Sequence, residues 1–165
     1  MKTYFTLFIL LVLQCGMAQV AISKASVDGS ALLDFAENSN KGLILPQVQG
    51  DIAAIPGMLV YNADLKKVQF YNGNSWQDLS VKEGVVDLTE TADLAETGSG
   101  IVIGDAVTAA DGVLVLNQSG TALVLPKNQT PWINIKNPEP GTMTYDPENN
   151  VICIFNGLEW TFWGF

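Results

Sequence analysis

The sequence predicts a mainly β protein, in which two repeated small β-hairpin units are joined by an acidic connector and follow an N-terminal signal peptide. A repeat is the first of three observations behind this prediction, since residues 57–76 return as residues 141–160 at a constant offset of 84 with no gap. The others are an apolar content of 48%, which argues against disorder, and an apolar run near the N-terminus. The predicted segments are 1–18 for the signal peptide, 19–82 for the first unit, 83–111 for the connector and 112–165 for the second unit.

Residues 1–18 have the features of a secretory signal, namely an early lysine, an apolar run at residues 4–13 and small residues before the cleavage point. The apolar run is shorter than the roughly 20 residues that a membrane-spanning helix needs. We therefore expect the mature chain to begin at Gln19. Lipidation of Cys15 is the alternative, but Gln14 stands where a lipidation signal needs a small residue.

The first unit opens with residues 19–30, a turn-prone arm or short strand. Ala31–Phe35 follows, and its pattern fits either a strand or one helical turn. Residues 43–45 are predicted to be a strand that ends at a proline, and residues 47–55 a short helix before the next proline. The repeated segment comes directly after.

Residues 57–76 are predicted to form a hairpin, because two apolar runs flank a polar reversal and the second run ends in Asn-Gly and a tryptophan. Proline fixes φ, Gly and Asn accept positive φ, and Val, Phe and Tyr favour a pleated surface. Before each hairpin an apolar run ends in proline, at residues 42–46 and again at 122–126, with an offset of 80. The matched pairs in the hairpins are Pro56 and Pro140, Tyr61 and Tyr145, Asn72 and Asn156, Gly73 and Gly157, and Trp76 and Trp160.

Three runs of the first unit resemble a fibre-type β module common in surface and secreted proteins of Bacteroidetes. They are Lys-Gly-Leu-Ile-Leu-Pro at 41–46, Pro-Gly-Met-Leu-Val-Tyr-Asn at 56–62 and Phe-Tyr-Asn-Gly-x-x-Trp at 70–76. The resemblance covers most of residues 27–79 and, more weakly, 112–163. It implies a place in an adhesin-like or fibre-like extracellular region, with a structural or interaction role and no catalytic residues.

The connector contains Asp87, Glu90, Asp93 and Glu96 and no lysine between residues 85 and 111. A calcium loop of the EF-hand kind needs acids at alternate positions around a glycine. These acids are three apart, which favours a solvated connector over a calcium site. Residues 100–104 are predicted to return to a strand.

The charge excludes some partners. The chain carries 8 Lys and Arg residues against 17 Asp and Glu, for a net charge of -9, and every basic residue is a lysine. Nucleic-acid binding needs clustered basic residues, and anionic membrane surfaces attract the same clusters. We expect neither nucleic-acid binding nor membrane insertion. With the signal removed, Cys153 is the only cysteine, and we predict an unreactive strand residue.

The C-terminal run places aromatic residues on both faces of a predicted strand, which is either buried twice or exposed to a partner. A terminal phenylalanine is also typical of outer-membrane barrels, but the chain lacks their series of long amphipathic strands. We therefore predict packing or an interface. The residues predicted to bind a partner are Trp160, Phe162, Trp163 and Phe165.

An enzyme is disfavoured, because the chain has no histidine and no serine, cysteine or threonine in a recognisable nucleophile setting. We predict no catalytic residue, no cofactor and no metal ligand. The preferred function is an exported accessory subunit of a larger cell-surface adhesin, fibre or secretion complex, in the periplasm or at the cell surface, and possibly a homo-oligomer. The alternative is a carbohydrate-binding module that uses Tyr71, Trp76, Trp132 and Trp163.

Overall fold

The protein is mainly β, as the sequence predicts, with 39% of the residues that the structure describes in strands and 3% in helix. The predicted signal peptide, most of the predicted connector and Phe165 lie outside the described residues, so the predictions made for them stay predictions. The computed structural model describes residues 19–37, 39–88, 100–104 and 112–164.

The described chain contains thirteen short strands and one helical turn. In the first half these are β1 (Val20–Ile22), β2 (Ala31–Phe35), β3 (Leu43–Ile44), β4 (Gln47–Val48), β5 (Leu59–Asn62), β6 (Lys67–Tyr71) and β7 (Trp76–Asp78). In the second half they are β8 (Ile101–Gly104), β9 (Leu114–Asn117), β10 (Ala122–Leu123), α1 (Pro131–Asn134), β11 (Thr142–Asp146), β12 (Val151–Phe155) and β13 (Trp160–Trp163).

These strands form four small sheets. Two sheets have four strands, in the orders β4-β5-β6-β7 and β3-β11-β12-β13. A third sheet, β1-β2-β10, is parallel throughout, and β8 and β9 form a separate parallel pair. Residues from both units therefore meet in two of the four sheets.

Each repeated segment folds into a three-stranded antiparallel meander, β5-β6-β7 in the first unit and β11-β12-β13 in the second. The two meanders have the same register. Leu59 lies opposite Phe70 in the first, and Met143 lies opposite Ile154 in the second, each partner 84 residues further on. The backbone of the second meander thus repeats that of the first.

The reversal between the first two strands of each meander is also repeated. A side-chain oxygen, Oδ1 of Asn62 or of Asp146, accepts hydrogen bonds from the backbone N–H groups two and three residues further on. Lys66 and Asn150 close the two reversals with φ angles of 56° and 55°. Asx side chains that bond to the following backbone favour such turns.

The next reversal in each meander uses the Asn-Gly pair. Oδ1 of Asn72 and Oδ1 of Asn156 each accept two hydrogen bonds, again from the backbone N–H groups two and three residues further on. Gly73 and Gly157 have φ angles of 99° and 96°, a conformation that residues with a Cβ rarely adopt. The Asn-Gly pair therefore explains why the chain turns at the same place twice.

The two units exchange one strand each. Strand β10 of the second unit lies parallel to β2 of the first, and the N–H of Val124 donates to the carbonyl of Leu33 at 3.0 Å. Strand β3 of the first unit lies antiparallel to β11 of the second, and the N–H of Leu45 donates to the carbonyl of Gly141 at 3.1 Å. Strands β3 and β10 each find their partner strand in the other unit.

Six buried apolar residues from the two units form one cluster. Tyr61 is fully buried in this cluster, and its hydroxyl donates to the carbonyl of Asn156 in the second unit at 3.0 Å. Desolvation raises the pKa of the Tyr61 hydroxyl, as expected for a phenol whose charged form would be buried. The cluster consists of Leu45, Tyr61, Ala63, Val68, Met143 and Ile154.

The short helix predicted for residues 47–55 is wrong. The first residues of this range form β4 instead, because the carbonyls of Pro46 and Val48 accept the N–H groups of Tyr61 and Ala63 at 2.9 and 2.8 Å. The rest of the range, 49–55, is irregular. Pairing with the edge of β5 outweighs the weak helical preference of this stretch.

The segment for which strand and helical turn were both open is a strand, β2. Its Asp34 is fully buried and is held by Nζ of Lys24 at 2.7 Å and by the N–H groups of Asp28 and Phe35, both at 2.8 Å. Burial disfavours the charged carboxylate, but these hydrogen bonds outweigh it and the pKa of Asp34 lies below its ordinary value.

Candidate partner-binding surface

The predicted binding residues lie on β13, which is the edge strand of its sheet. Phe162 lies opposite Cys153 and Trp163 opposite Ile152 in the pairing with β12. Since successive side chains alternate across a strand, Trp160 and Phe162 point to one face of the sheet and Trp163 to the other. The strand therefore presents aromatic residues on both faces, as the sequence predicts.

Trp160 packs within the meander. Its ring lies 5.3 Å from that of Phe155, and the corresponding rings of Trp76 and Tyr71 in the first unit are also 5.3 Å apart. The side chains of these four aromatic residues are all half-buried. The repeated geometry indicates that the tryptophan at this position stabilises the meander, in addition to any contact it makes with a partner.

Phe162 is 50% exposed and lies against Trp132, which comes from α1 and is 41% exposed. The two rings meet edge to face, with centroids 5.1 Å apart. Val151 and Asn149 complete the lining of an open groove of about 450 Å³ beside these rings. We call Trp132, Phe162 and Val151 the aromatic patch.

Trp163 is 46% exposed and connects the last strand to the first unit, because its Nε1–H donates to the carbonyl of Leu79 at 2.6 Å. Mutation of Trp163 would therefore disturb the contact between the units as well as any partner contact. Phe165 lies outside the described residues. Of the four predicted residues, Phe162 has the greatest described exposure. It contributes less than Trp160 to the packing of the meander and less than Trp163 to the contact between the units.

The aromatic patch belongs to the second unit alone. At the position of Phe162 the first unit has Asp78, which accepts hydrogen bonds from Nε2 of Gln69 at 2.7 Å and from Nζ of Lys67 at 2.6 Å. The second unit has Cys153 at the position of Gln69, and so the same backbone carries a polar network in one copy and an aromatic surface in the other. This replacement is visible in the sequence once the two units are aligned.

Two titratable side chains of the second meander are buried, those of Asp146 and Cys153. Asp146 is fully buried, and although burial disfavours its charge, hydrogen bonds from Asn149, Glu148 and Thr130 lower its pKa. Cys153 is also buried, and desolvation together with the charge of Asp146 raises the pKa of its thiol to about 12. A thiol of that pKa is protonated at neutral pH, which agrees with the prediction of an unreactive strand residue.

Within residues 19–37, 39–88, 100–104 and 112–164, no group of three or more acidic, cysteine or histidine side chains is placed to hold a metal ion. Nor does any helix in these ranges have the length and hydropathy needed to cross a bilayer.

The geometry gives little support to the carbohydrate-binding alternative. Tyr71 and Trp76 pack on each other at an interplanar angle of 59°, and the rings of Trp132 and Phe162 are nearly perpendicular at 85°. Stacking on a sugar ring favours coplanar aromatic faces, which none of these pairs provides. Trp132 was a candidate for sugar binding on sequence grounds, whereas its contact with Phe162 comes only from the fold.

Part of the chain matches a known protein family. Residues 21–93 match the family model described as a phage tail like trimerisation region. The match includes β2 to β7 and all but the first residue of β1, and it covers less than half of the 165 residues. A search of curated proteins and a search of solved structures each gave no match.

The matched description concerns assembly and not chemistry. A trimerisation region is a structural element, so the match indicates a structural, non-catalytic role for the first unit and supports a homo-oligomer. The second unit lies beyond the match, but its meander has the same register and the same turns as that of the first. The chain therefore carries a second copy of the meander contained in the matched region.

Proposed function

We propose that this chain is an exported, non-catalytic protein that forms a homotrimer and serves as an accessory subunit of a larger cell-surface adhesin, fibre or secretion complex. The match of the first unit to a trimerisation region carries the proposal. The resemblance of residues 41–76 to the surface module of Bacteroidetes supports the export and the surface location. The predicted signal peptide at residues 1–18 agrees with both.

The aromatic patch is the surface that we assign to the larger partner. Protein interfaces are enriched in exposed aromatic residues, which bury large areas at a low cost in side-chain entropy. Trp132 and Phe162 have this character, and Ile133 beside them is 56% exposed. A partner that covered this patch would remove it from water and leave the polar face of the first unit exposed.

Phe162→Asp is the sharpest test of this surface, because Asp78 already occupies the corresponding position in the first unit and the backbone accepts it. We expect the variant to fold and to keep the mass of the wild-type assembly, and to lose a partner that the wild type retains in fixed ratio from envelope extracts. Leu158→Ala is the matched control, since Leu158 is 64% exposed on the same meander and lies outside the patch.

The outcomes separate the two parts of the proposal. Loss of the partner with Phe162→Asp and retention with Leu158→Ala supports the assigned surface. Equal retention by both variants contradicts it. A wild-type chain that is monomeric at every concentration contradicts the homotrimer, whatever the patch binds.

A further inference from the structure

The two units exchange strands within one chain. Among the described residues, this exchange leaves one edge of β3 in the first unit and one edge of β9 in the second without a partner strand. In this chain β10 of the second unit pairs with β2 of the first, and β3 of the first pairs with β11 of the second. A unit of another chain could therefore pair with these edges in the same two ways.

The parallel pair β8-β9, whose first strand lies at the end of the predicted connector, corresponds to the pair β1-β2 of the first unit. Val20 lies opposite Leu33 in one pair, and Ile101 lies opposite Leu114 in the other, with the same spacing along the chain. Positive φ angles also occur at corresponding positions, 60° at Ser23 directly after β1 and 107° at Gly104, the last residue of β8. Strand β9 is therefore the counterpart of β2.

The two counterparts differ in their pairing. Strand β2 has β1 on one edge and β10 on the other, whereas β9 pairs, among the described residues, with β8 alone. The N–H of Ile101 donates to the carbonyl of Val113 at 2.8 Å. Backbone groups alternate in direction along a strand, so those of Leu114 point to the opposite edge, where β2 receives β10.

The first unit carries the strand that fits this edge. Strand β3 is the counterpart of β10 and uses Leu43 and Leu45 to pair with β11, so the backbone groups of Ile44 point to its other edge. Val124, the counterpart of Ile44, donates its N–H to Leu33 within the chain. Ile44 itself is 52% exposed.

We propose that β3 of one copy adds in parallel to β9 of a second copy, with the N–H of Ile44 donating to the carbonyl of Leu114. The same contact brings β10 of the second copy beside β5 of the first, where Leu123 lies opposite Leu59 as Leu43 lies opposite Met143 within the chain. One interface thus repeats both exchanges that join the units of a single chain.

The apolar surface around these edges supports a second copy as the occupant. The exposed side chains of β8, β9 and the residue before β9 are apolar, and a strand laid along β9 would cover part of them. Exposed apolar strand edges invite pairing with another chain. The exposed residues are Ile101, Val102, Val113 and Leu114.

The interface joins two different surfaces, and so it is heterologous and forms a ring when the rotation between copies closes. The inference rests on the proposed homotrimer for the number of copies, which gives a ring of three chains and six units. It adds to the homotrimer the identity of the strand edges, β3 of one copy and β9 of the next, that pair between chains.

Ile44→Pro tests the pairing because it removes the N–H that would bind the second copy. Proline is tolerated on an edge strand, and this N–H is not used in the pairing with β11. We expect a folded chain whose self-association, measured by sedimentation equilibrium, is weakened about 100-fold. Val124→Pro is the matched control, since it removes the same N–H where it is used inside the chain, and we expect it to lower the thermal midpoint.

A second measurement does not depend on proline. Chains with Leu43→Cys and chains with Leu114→Cys are mixed, dissociated, reassembled and treated with a short bis-maleimide. Neighbouring strands lie about 5 Å apart, so we expect dimers that link one variant to the other. Each variant alone and the wild type, whose Cys153 is buried, should give no such product.

The results distinguish this inference from the homotrimer. A wild-type oligomer that keeps its mass with Ile44→Pro and gives no mixed cross-link overturns the inference and leaves the homotrimer standing. A wild-type monomer overturns both. A mixed cross-link together with weakened association in Ile44→Pro supports both.

Discussion

The two meanders of this protein have the same backbone and different surroundings. Tyr61 of the first unit is fully buried and donates its hydroxyl to the carbonyl of Asn156, whereas Tyr145 of the second is half-buried and donates to Oδ1 of Asn150 at 3.1 Å. The repeated sequence therefore determines the strands and turns, and the packing between units determines which copy of a residue stabilises the fold. Matched substitutions in the two copies separate these contributions.

The largest difference is expected for the paired tyrosines. Tyr61→Ala removes a fully buried ring from the shared core, and we expect the free energy of unfolding to fall by about 4 kcal/mol. Tyr145→Ala removes a half-buried ring and should cost about 1 kcal/mol. Urea unfolding of both variants measures the difference, and equal losses would contradict a core shared by the units.

The paired glycines should differ by less. A Cβ at Gly157 would overlap the carbonyl oxygen of Val85, whereas a Cβ at Gly73 would lie 3.5 Å from Pro56. Both glycines have positive φ, so alanine costs about 1 kcal/mol at either position. The overlap should raise the cost of Gly157→Ala to about 3 kcal/mol. If thermal unfolding shows the same midpoint for both variants, the close approach at Gly157 is wrong.

The paired turns differ in charge. Asp146→Ala leaves the backbone N–H groups of Thr130, Glu148 and Asn149 without their acceptor, and we expect a loss of about 2 kcal/mol at pH 7. Asp146→Asn copies Asn62 of the first unit and should recover part of that loss, because its amide oxygen can replace Oδ1 as the acceptor for Glu148 and Asn149. Its NH2 group cannot accept the N–H of Thr130 as Oδ2 does. The two variants compared by chemical unfolding show how much of the effect is due to the hydrogen bonds at Oδ1.

The charge of Asp146 also predicts a pH dependence. Its pKa is lower in the folded chain than the ordinary value of 3.8, so its contribution is fully present above pH 3.8 and is lost as pH falls through the lower folded pKa. Asp146→Asn should therefore flatten part of the acid limb of the stability curve. An unchanged acid limb in that variant would contradict the lowered pKa.

The smallest expected effect concerns Cys153, which occupies the position of Gln69. With a pKa raised to about 12 by burial, the thiol should not react with a thiol reagent at pH 8 in the folded chain and should react once the chain is unfolded. Fast labelling of the folded chain would contradict the buried position of β12.

The meanders are the part of the fold that the sequence predicts well, because their determinants are local. Each reversal is determined by side chains that bond to the backbone two or three residues away. These residues are Asn-Gly at 72–73 and 156–157 and the Asx residues at 62 and 146. The predicted helix at 47–55 failed for the opposite reason. Pairing with a strand that lies more than ten residues further along the chain decided its structure.

The exchange of β3 and β10 could not be predicted from the sequence. Both strands are two residues long, and nothing in a run such as Leu43–Ile44 indicates whether its partner lies in the same unit or in the other. The aromatic patch was predicted in part. Phe162 stands out in the C-terminal run, but its contact with Trp132 depends on where α1 packs.

The homotrimer can be tested by the mass of the purified wild-type chain, measured by sedimentation equilibrium over a wide range of concentrations. We expect a particle of three chains that dissociates only on strong dilution. A particle of one chain at every concentration would contradict the assembly role that the first unit indicates, and the open edges of β3 and β9 would then need another explanation.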